Sequence, residues 1–355
     1  IASANVVVSR PARKFTPPPD SDQALARDPA ARAARLPAIA FAAARAALGA
    51  DRGVLVQVPR RGYVPALACA KCRTPARCRH CNGPLALPQA AGPDGTATPA
   101  CRWCGIADAT HRCHACGARA LRAVVVGAGR TAEELGRAFP GVPVVTSGGT
   151  EVKATAPAGP ALVVATVGAE PVTAGGYGAA LLLDGWALLG RADLRAAEET
   201  MRRWLTASSL VRPFADGGQV VVVADAGIPT VQALVRWDPI GHAQSQLAER
   251  AEVGFPPAVH MAAVDGTAAA VADLLAAATL PPEAEVLGPV PLPPGERLPF
   301  GADDPEPDEV QRMVIRVPRG RGLALGRALR EAQAARSARR AEGALRVQID
   351  PLRVG

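Results

Sequence analysis

Lysine is nearly missing from this chain. Three occur among its 355 residues, Lys14, Lys71 and Lys153, and none follows the G-x-x-x-x-G pattern that cradles nucleotide phosphates. Phosphate binding in the P-loop manner is therefore excluded for this stretch of sequence. Aromatic residues are also scarce, at 3%, which fits a composition rich in alanine, glycine, proline and arginine and carries no functional message. No run of eighteen apolar residues appears, and no charged-then-apolar leader opens the chain, so the expectation is a soluble cytoplasmic protein with no membrane partner. A Ser/His/Asp constellation is missing as well, because His242 and His260 stand alone, and no catalytic residue is nominated. The first residue is Ile1 rather than Met, as expected of a piece of a longer protein.

What is present is concentrated in one stretch. The eight cysteines form four C-x-x-C pairs: Cys69/Cys72, Cys78/Cys81, Cys101/Cys104 and Cys113/Cys116. A two-residue gap lets a tight turn aim two thiolates at one ion, so four pairs supply two tetrahedral four-thiolate sites and predict two Zn2+. Disulfides call for an oxidising compartment, and an iron–sulfur cluster for a tighter C-x2-C-x2-C run. Only five residues separate Cys72 from Cys78, so adjacent pairs have little chain in which to face one another. Spacing leaves a nested arrangement (first pair with fourth, second with third) and an interleaved one both open. His80, His111 and His114 are expected to be exposed or hydrogen-bonded neighbours rather than ligands, and Trp103 to be packing. A module this small relies on metal for its folding free energy.

Charge follows the cysteines. The net charge is +8, yet residues 51–130 alone hold twelve Lys or Arg against three acids. Each zinc with four thiolates carries −2, so two sites lower that local excess of nine to roughly +5. A second cluster, from Arg312 to Arg340, has nine arginines against the single acid Glu331. Two basic patches of this kind form an electrostatic footprint for nucleic acid. Arg60, Arg61, Arg73, Arg77 and Arg79, beside or between the first cysteines, are the candidate phosphate contacts, giving affinity without base readout and a steep salt dependence.

With 49% hydrophobic residues the chain has room for two or three cored domains. Apolar runs predict strands near 4–8, 53–58, 123–126, 143–145, 161–165, 179–183 and 219–224, with helices over 36–48, 131–139 and 193–205. Such alternation argues an α/β domain with a mostly parallel sheet, into which the cysteine module is inserted. Residues 83–98, rich in Gly, Pro and Ala, are expected to be a loop at the module's tip. Beyond Gly254, strands near 259–264, 285–287, 313–317 and 347–349 and helices over 268–278 and 323–340 predict a small α+β domain. Gly127-Ala128-Gly129-Arg130-Thr131-Ala132 matches the dinucleotide fingerprint G-x-G-x-x-A, but the acid required about twenty residues on is replaced by Val145-Thr146-Ser147-Gly148.

Several short stretches together resemble the PriA (primosomal protein N′) family of replication-restart proteins: Arg60-Arg61-Gly62-Tyr63-Val64-Pro65, the x2-x5-x2-x19-x2-x8-x2 cysteine spacing, Gly127-Ala128-Gly129, Phe139-Pro140-Gly141, Leu194-Arg195-Ala196-Ala197-Glu198, Gly254-Phe255-Pro256-Pro257, Val286-Leu287-Gly288-Pro289-Val290-Pro291 and Ile349-Asp350-Pro351. The resemblance implies a helicase-type (RecA-like) lobe with an inserted two-zinc module and a C-terminal domain. In those terms residues 1–33 are the remnant of a preceding lobe and a linker, 34–66 the start of the second lobe, 67–120 the zinc module, 121–250 the remainder of the lobe, and 251–355 the C-terminal domain. It further implies nested pairing, with Cys69, Cys72, Cys113 and Cys116 on one ion and Cys78, Cys81, Cys101 and Cys104 on the other.

The implied partners are forked or single-strand/duplex junction DNA, the acidic tail of the single-stranded-DNA-binding protein, with Arg316, Arg319 and Arg321 as its receiving residues, and other primosome proteins, in a nucleoid-associated setting. Departures from the family pattern point away from a motor. The stretch that should read T-Q-x-x-x-K-G-H runs Thr166-Val167-Gly168-Ala169-Glu170, and the expected Gln/Arg motif has become Leu205 to Arg212, of which at most Arg212 survives as an arginine finger. The expectation is a DNA-binding restart protein of the ATPase-degenerate, actinobacterial type. The alternatives are an ATP-dependent 3′-5′ helicase whose ATP-binding lobe lies outside this chain, a dinucleotide-dependent enzyme, or a zinc-stabilised protein-docking scaffold.

Overall fold

A computed structural model of the chain describes residues 5–8, 36–59, 67–71, 74, 76–80, 85–86, 98–101, 106–123, 127–189, 191, 193–224, 227–292, 296–299 and 309–352. The chain divides into two compact units, residues 1–242 and 243–355.

The first unit is built on a six-stranded sheet. Its strands are β1 (Asn5–Val8), β2 (Val54–Val58), β7 (Val144–Ser147), β8 (Leu162–Thr166), β9 (Ala179–Leu182) and β10 (Gln219–Val223). They lie in the order β1-β10-β9-β2-β8-β7, all parallel except β1, which runs antiparallel to β10 and forms one edge. Thus the sheet draws its edge strand from the N-terminal segment that the sequence reading assigned to a remnant and linker. Central strands of a covered parallel sheet read as unbroken apolar runs, as in Val54-Leu55-Val56 and Leu162-Val163-Val164.

Alternate residues of these strands serve two cores. Val54, Val56, Val58, Leu162, Val164 and Leu181 meet α1 (Ala38–Gly49) and α2 (Ala128–Ala138) on one face. Leu55, Val163, Ala180, Leu182 and Val222 meet α3 (Gly185–Leu189), α4 (Ala196–Ser209) and α5 (Pro229–Arg236) on the other. Ala40, Ala43, Ala44 and Ala47 are the buried stripe of α1, spaced to put one helical face on the sheet. On the opposite side Trp204, fully buried on α4, fills the second core.

Between β2 and α2 the chain leaves the carboxyl end of a central strand to make the cysteine module: β3 (Leu67–Cys69), β4 (Leu85–Ala86), β5 (Ala100–Cys101) and β6 (Leu121–Ala123). β3 pairs antiparallel with β6, and β4 with β5. The strand foreseen at 123–126 is described only at its first residue, where β6, starting at Leu121, closes the base of the module against β3; residues 124–126 lie outside the described set. Gly127 is the N-cap of α2.

Other elements differ by a few residues. The helix expected over 193–205 is found at 196–209, because the Asp193 carboxylate accepts the Arg195 amide at 2.9 Å and holds the entry turn. The helices α3, α5 and α6 (Pro239–Val253) were not foreseen.

The second unit has an antiparallel sheet in the order β12-β13-β11-β14, formed by β11 (Val259–Thr267), β12 (Glu285–Pro291), β13 (Val310–Pro318) and β14 (Leu345–Ile349). Helices α7 (Ala268–Ala277) and α8 (Gly322–Ala338) cover one face through Val271, Leu274, Leu325 and Leu329 on Ala262, Val264, Ile315 and Val317. The Thr267 hydroxyl accepts the Ala270 amide and caps α7. On the opposite face Asp265 and Arg312 are paired with no solvent exposure, Nε to Oδ1 at 2.7 Å and Nη2 to Oδ2 at 3.0 Å. Among the described residues no helix is long and apolar enough to cross a membrane.

Candidate metal centre and nucleic-acid interface

Three of the four C-x-x-C turns close with the same backbone hydrogen bond. In each, the amide of the first cysteine donates to the carbonyl five residues on: Cys69 to Thr74, Cys101 to Ile106 and Cys113 to Ala118, all at 2.9 Å. In each knuckle that the bond closes, the first cysteine is buried. At the fourth turn the His80 amide donates to the Cys78 sulfur at 3.4 Å, an interaction suited to a sulfur carrying negative charge. After Cys116 the chain reverses through Gly117, whose φ of +69° is left-handed and whose amide donates to the Cys113 carbonyl at 2.8 Å.

The fold then selects partners. The sulfurs of Cys69, Cys113 and Cys116 lie within 4.8 Å of one another, with Cys69 Sγ and Cys116 Sγ 3.5 Å apart. Sulfurs bound at about 2.3 Å around one tetrahedral zinc stand about 3.8 Å apart, so this grouping has the size of a zinc site and is too open for a disulfide. Cys69 and Cys116 meet across 47 residues because β3 and β6 are hydrogen-bonded neighbours. Cys78 and Cys101 are both buried in the module's small core with Leu67, Ala76 and Leu85. Cys72, Cys81 and Cys104 lie outside the described residues.

The neighbours of these sulfurs form a brace that sequence reading missed. Asp108 accepts from His111 Nδ1 at 3.1 Å, His111 is buried, and the Arg79 guanidinium donates to the Thr110 carbonyl at 2.8 Å while standing 3.8 Å from Asp108. Asp108 could have been singled out as one of only two acids between Leu67 and Ala123. His80 and His114 are exposed.

The arginines nominated for DNA separate into distinct settings. Arg77 is half-buried, and desolvation lowers its affinity for the proton, whereas Arg79 is exposed but partly engaged by Thr110 and Asp108. Arg60, Arg61 and Arg73 lie outside the described residues. Lys71, Arg79, Arg112 and Arg119 are exposed on the module, and Asp108, its one described acid, is turned inward. In the second unit Arg316 is held by Glu285 at 2.6 and 2.8 Å and by the carbonyl of Val253, and Arg321 by Glu283 at 2.6 and 2.9 Å. Arg319 is exposed and has no ion pair among the described residues.

At the carboxyl ends of the central strands, the loop after β8 is tied down. Glu170 Oε1 accepts from Gln57 Nε2 at 2.6 Å and from the Gly168 amide at 2.9 Å, and Ser147 donates to the Ala169 carbonyl at 2.6 Å. Tyr177, fully buried, donates to the Pro171 carbonyl at 2.8 Å; burial and the nearby Glu170 charge push its hydroxyl up to about 12. Arg212 lies beside Tyr177, whose carbonyl accepts the Arg212 amide, at the amino end of β9.

Residues 251–352 match the family profile described as the primosomal protein N C-terminal domain. Over all 355 residues the chain is 58% identical to a probable replication restart protein PriA of Mycobacterium leprae (strain TN), covering 54% of that protein. It is 59% identical over 343 residues, 95% of the chain, to those of Mycobacterium bovis and of Mycobacterium tuberculosis (strain H37Rv), covering 52% of each. The chain spans about half the length of these relatives. Identity at this level along the whole chain, with the C-terminal domain match inside it, places the chain in the PriA family of replication restart proteins.

Proposed function

We propose that this chain is the zinc-stabilised, DNA-engaging part of a replication restart protein, holding two Zn2+ in nested pairs and binding forked or single-strand/duplex junction DNA. The observation that carries the DNA reading is the module's surface: four exposed cations, Lys71, Arg79, Arg112 and Arg119, with the one described acid folded inward. Cations held on rigid knuckles meet phosphates without reading bases. Arg60, Arg61, Arg73 and Arg77 extend the same patch along the sequence. The nested assignment is supported by the grouping of Cys69 with Cys113 and Cys116, and the thiolates' four-fold donor set suits structural zinc, which would supply folding free energy rather than reaction chemistry.

Within this reading the lobe is RecA-like in kind and no longer coupled to ATP. Glu170 supports that view, since its carboxylate occupies the Gly168 amide at the carboxyl ends of the strands and would meet an incoming phosphate with like charge. The acidic tail of the single-stranded-DNA-binding protein is assigned to Arg316, Arg319 and Arg321. Arg319 is its point of entry, because a peptide carboxylate must displace Glu285 and Glu283 to reach the other two. Other primosome proteins complete the partner set, in a cytoplasmic, nucleoid-associated setting.

A second reading, an ATP-dependent 3′-5′ helicase, is favoured by one fact: the relatives are nearly twice as long, leaving room for an ATP-binding lobe outside this chain. Charge removal tests the first reading. Replacing Arg112 and Arg119 with Gln should weaken fork binding and flatten the dependence of log K on log salt by about two. An unchanged slope contradicts it.

A further inference from the structure

Among the described cysteines one differs in exposure. Cys69, Cys78, Cys101 and Cys113 are only 1%, 6%, 3% and 5% exposed, and Cys78 and Cys101 are closed in by Leu67, Ala76 and Leu85. Cys116, by contrast, is exposed, its neighbours His114 and Ala115 are exposed, and a side chain added at Gly117 would meet nothing within 4 Å. Its sulfur stands 3.5 Å from Cys69 Sγ, on a separate knuckle. Bonded disulfide sulfurs are about 2.05 Å apart, so closing the gap takes about 1.5 Å of travel. Oxidation of thiolates follows access as well as thiolate character.

We propose that Cys116 and Cys69 form an oxidation site, at which a hydroperoxide converts the pair to a cross-knuckle disulfide and opens the metal site the two share. The proposal rests on the two-zinc reading above. In the first step the Cys116 thiolate attacks the peroxide: an S–O bond forms, the O–O bond breaks, and one oxygen leaves as hydroxide, taken up as water. In the second, the Cys69 thiolate attacks the sulfenic sulfur: the S–S bond forms, the S–O bond breaks, and the hydroxyl leaves as a second water. Two thiolates lose one electron each, the peroxide gains two, and two protons are consumed. With two of its four thiolates gone the shared site no longer holds a metal, and the knuckle at residues 113–118 loses its anchor beside Arg112 and Arg119. Fork binding then weakens under oxidative conditions.

The test uses the full chain as purified. Hydrogen peroxide is added in steps, released zinc is read with 4-(2-pyridylazo)resorcinol, and disulfides are mapped by mass spectrometry of non-reduced peptides. One equivalent of zinc should leave at a peroxide dose about fivefold below that releasing the second, together with a Cys69–Cys116 bridge that dithiothreitol and zinc reverse. Simultaneous loss of both equivalents, or a bridge confined to Cys113–Cys116, overturns the proposal while leaving the two-zinc reading intact. A chain that carries no zinc at the outset refutes that reading, and the oxidation site with it. In Cys116→Ser the bridge must disappear; because that variant can lose the metal on its own, rapid alkylation of zinc-loaded wild type is the companion measurement, with iodoacetamide expected on Cys116 before Cys78 or Cys101. The reverse order overturns the proposal.

Discussion

Removal of metal should melt the cysteine module and spare the six-stranded sheet. The magnitude follows from how little the module buries. Of the five residues in its described core only Leu67 and Leu85 are large aliphatics, contributing about 4–6 kcal/mol between them when fully buried. The three hydrogen-bonded knuckles alone fix about eighteen residues, at about 1 kcal/mol or more of backbone entropy each. The deficit is on the order of 12 kcal/mol, which the roughly 10–16 kcal/mol supplied by each structural zinc–thiolate site is large enough to offset. Hydrogen exchange before and after chelation reads the outcome amide by amide. The amides of Cys69, Cys101 and Cys113 should lose protection on adding a chelator, while those of β2, β8, β9 and β10 keep theirs. Persistent protection at the three knuckle amides in metal-free protein would refute the reasoning.

Three further outcomes follow from other parts of the fold. Asp265→Ala removes the bidentate carboxylate partner of the fully buried Arg312 guanidinium; it should cost about 3–5 kcal/mol, whereas Asp265→Ala with Arg312→Met should cost far less. Urea unfolding followed by circular dichroism is the suitable assay, because all four tryptophans lie within residues 1–242. A hydrogen bond from Arg202, joined by Arg203 and opposed by partial burial, holds the Glu199 carboxyl down at about 2, below its ordinary 4.5. A carboxyl lowered on folding stabilises above its ordinary value and stops doing so as pH falls through the lowered one. The stability gap between wild type and Glu199→Gln, under about 1 kcal/mol at pH 7 for so exposed a pair, should therefore shrink between pH 4.5 and 2; a gap that widens on acidification contradicts this. Gly117→Ala places a Cβ at a left-handed φ, costing about 1 kcal/mol and lowering zinc affinity about fivefold in a competition titration.

Much of the fold was legible because its strands are apolar on both faces and its helices carry regular stripes. Runs such as Val54-Leu55-Val56 and Leu162-Val163-Val164 have one physical use, the middle of a covered sheet. What the chain order conceals is the partner of Leu121 and Ala123, which are drawn to β3 because the module must close at its base. The helices at 229–253 went unforeseen because Asp238-Pro239 interrupts them. For the site, thiolate chemistry was legible and partnership was not. Cys69 and Cys116 are 47 residues apart, and only the pairing of β3 with β6 makes them neighbours. The same distance effect hid the partners of the arginines: Glu285 and Glu283, 31 and 38 residues from Arg316 and Arg321, convert two apparent free cations into ion pairs. Residue spacing reports what a side chain can do, and the fold decides whether it is already occupied.

The most direct test of the central claim is fluorescence anisotropy of a labelled fork and of plain duplex, titrated with the chain at several salt concentrations, with and without zinc. The account predicts tighter binding to the fork, affinity falling steeply with salt, and loss of both after metal removal. Absence of binding at low salt, or fork binding unchanged by chelation, would contradict it.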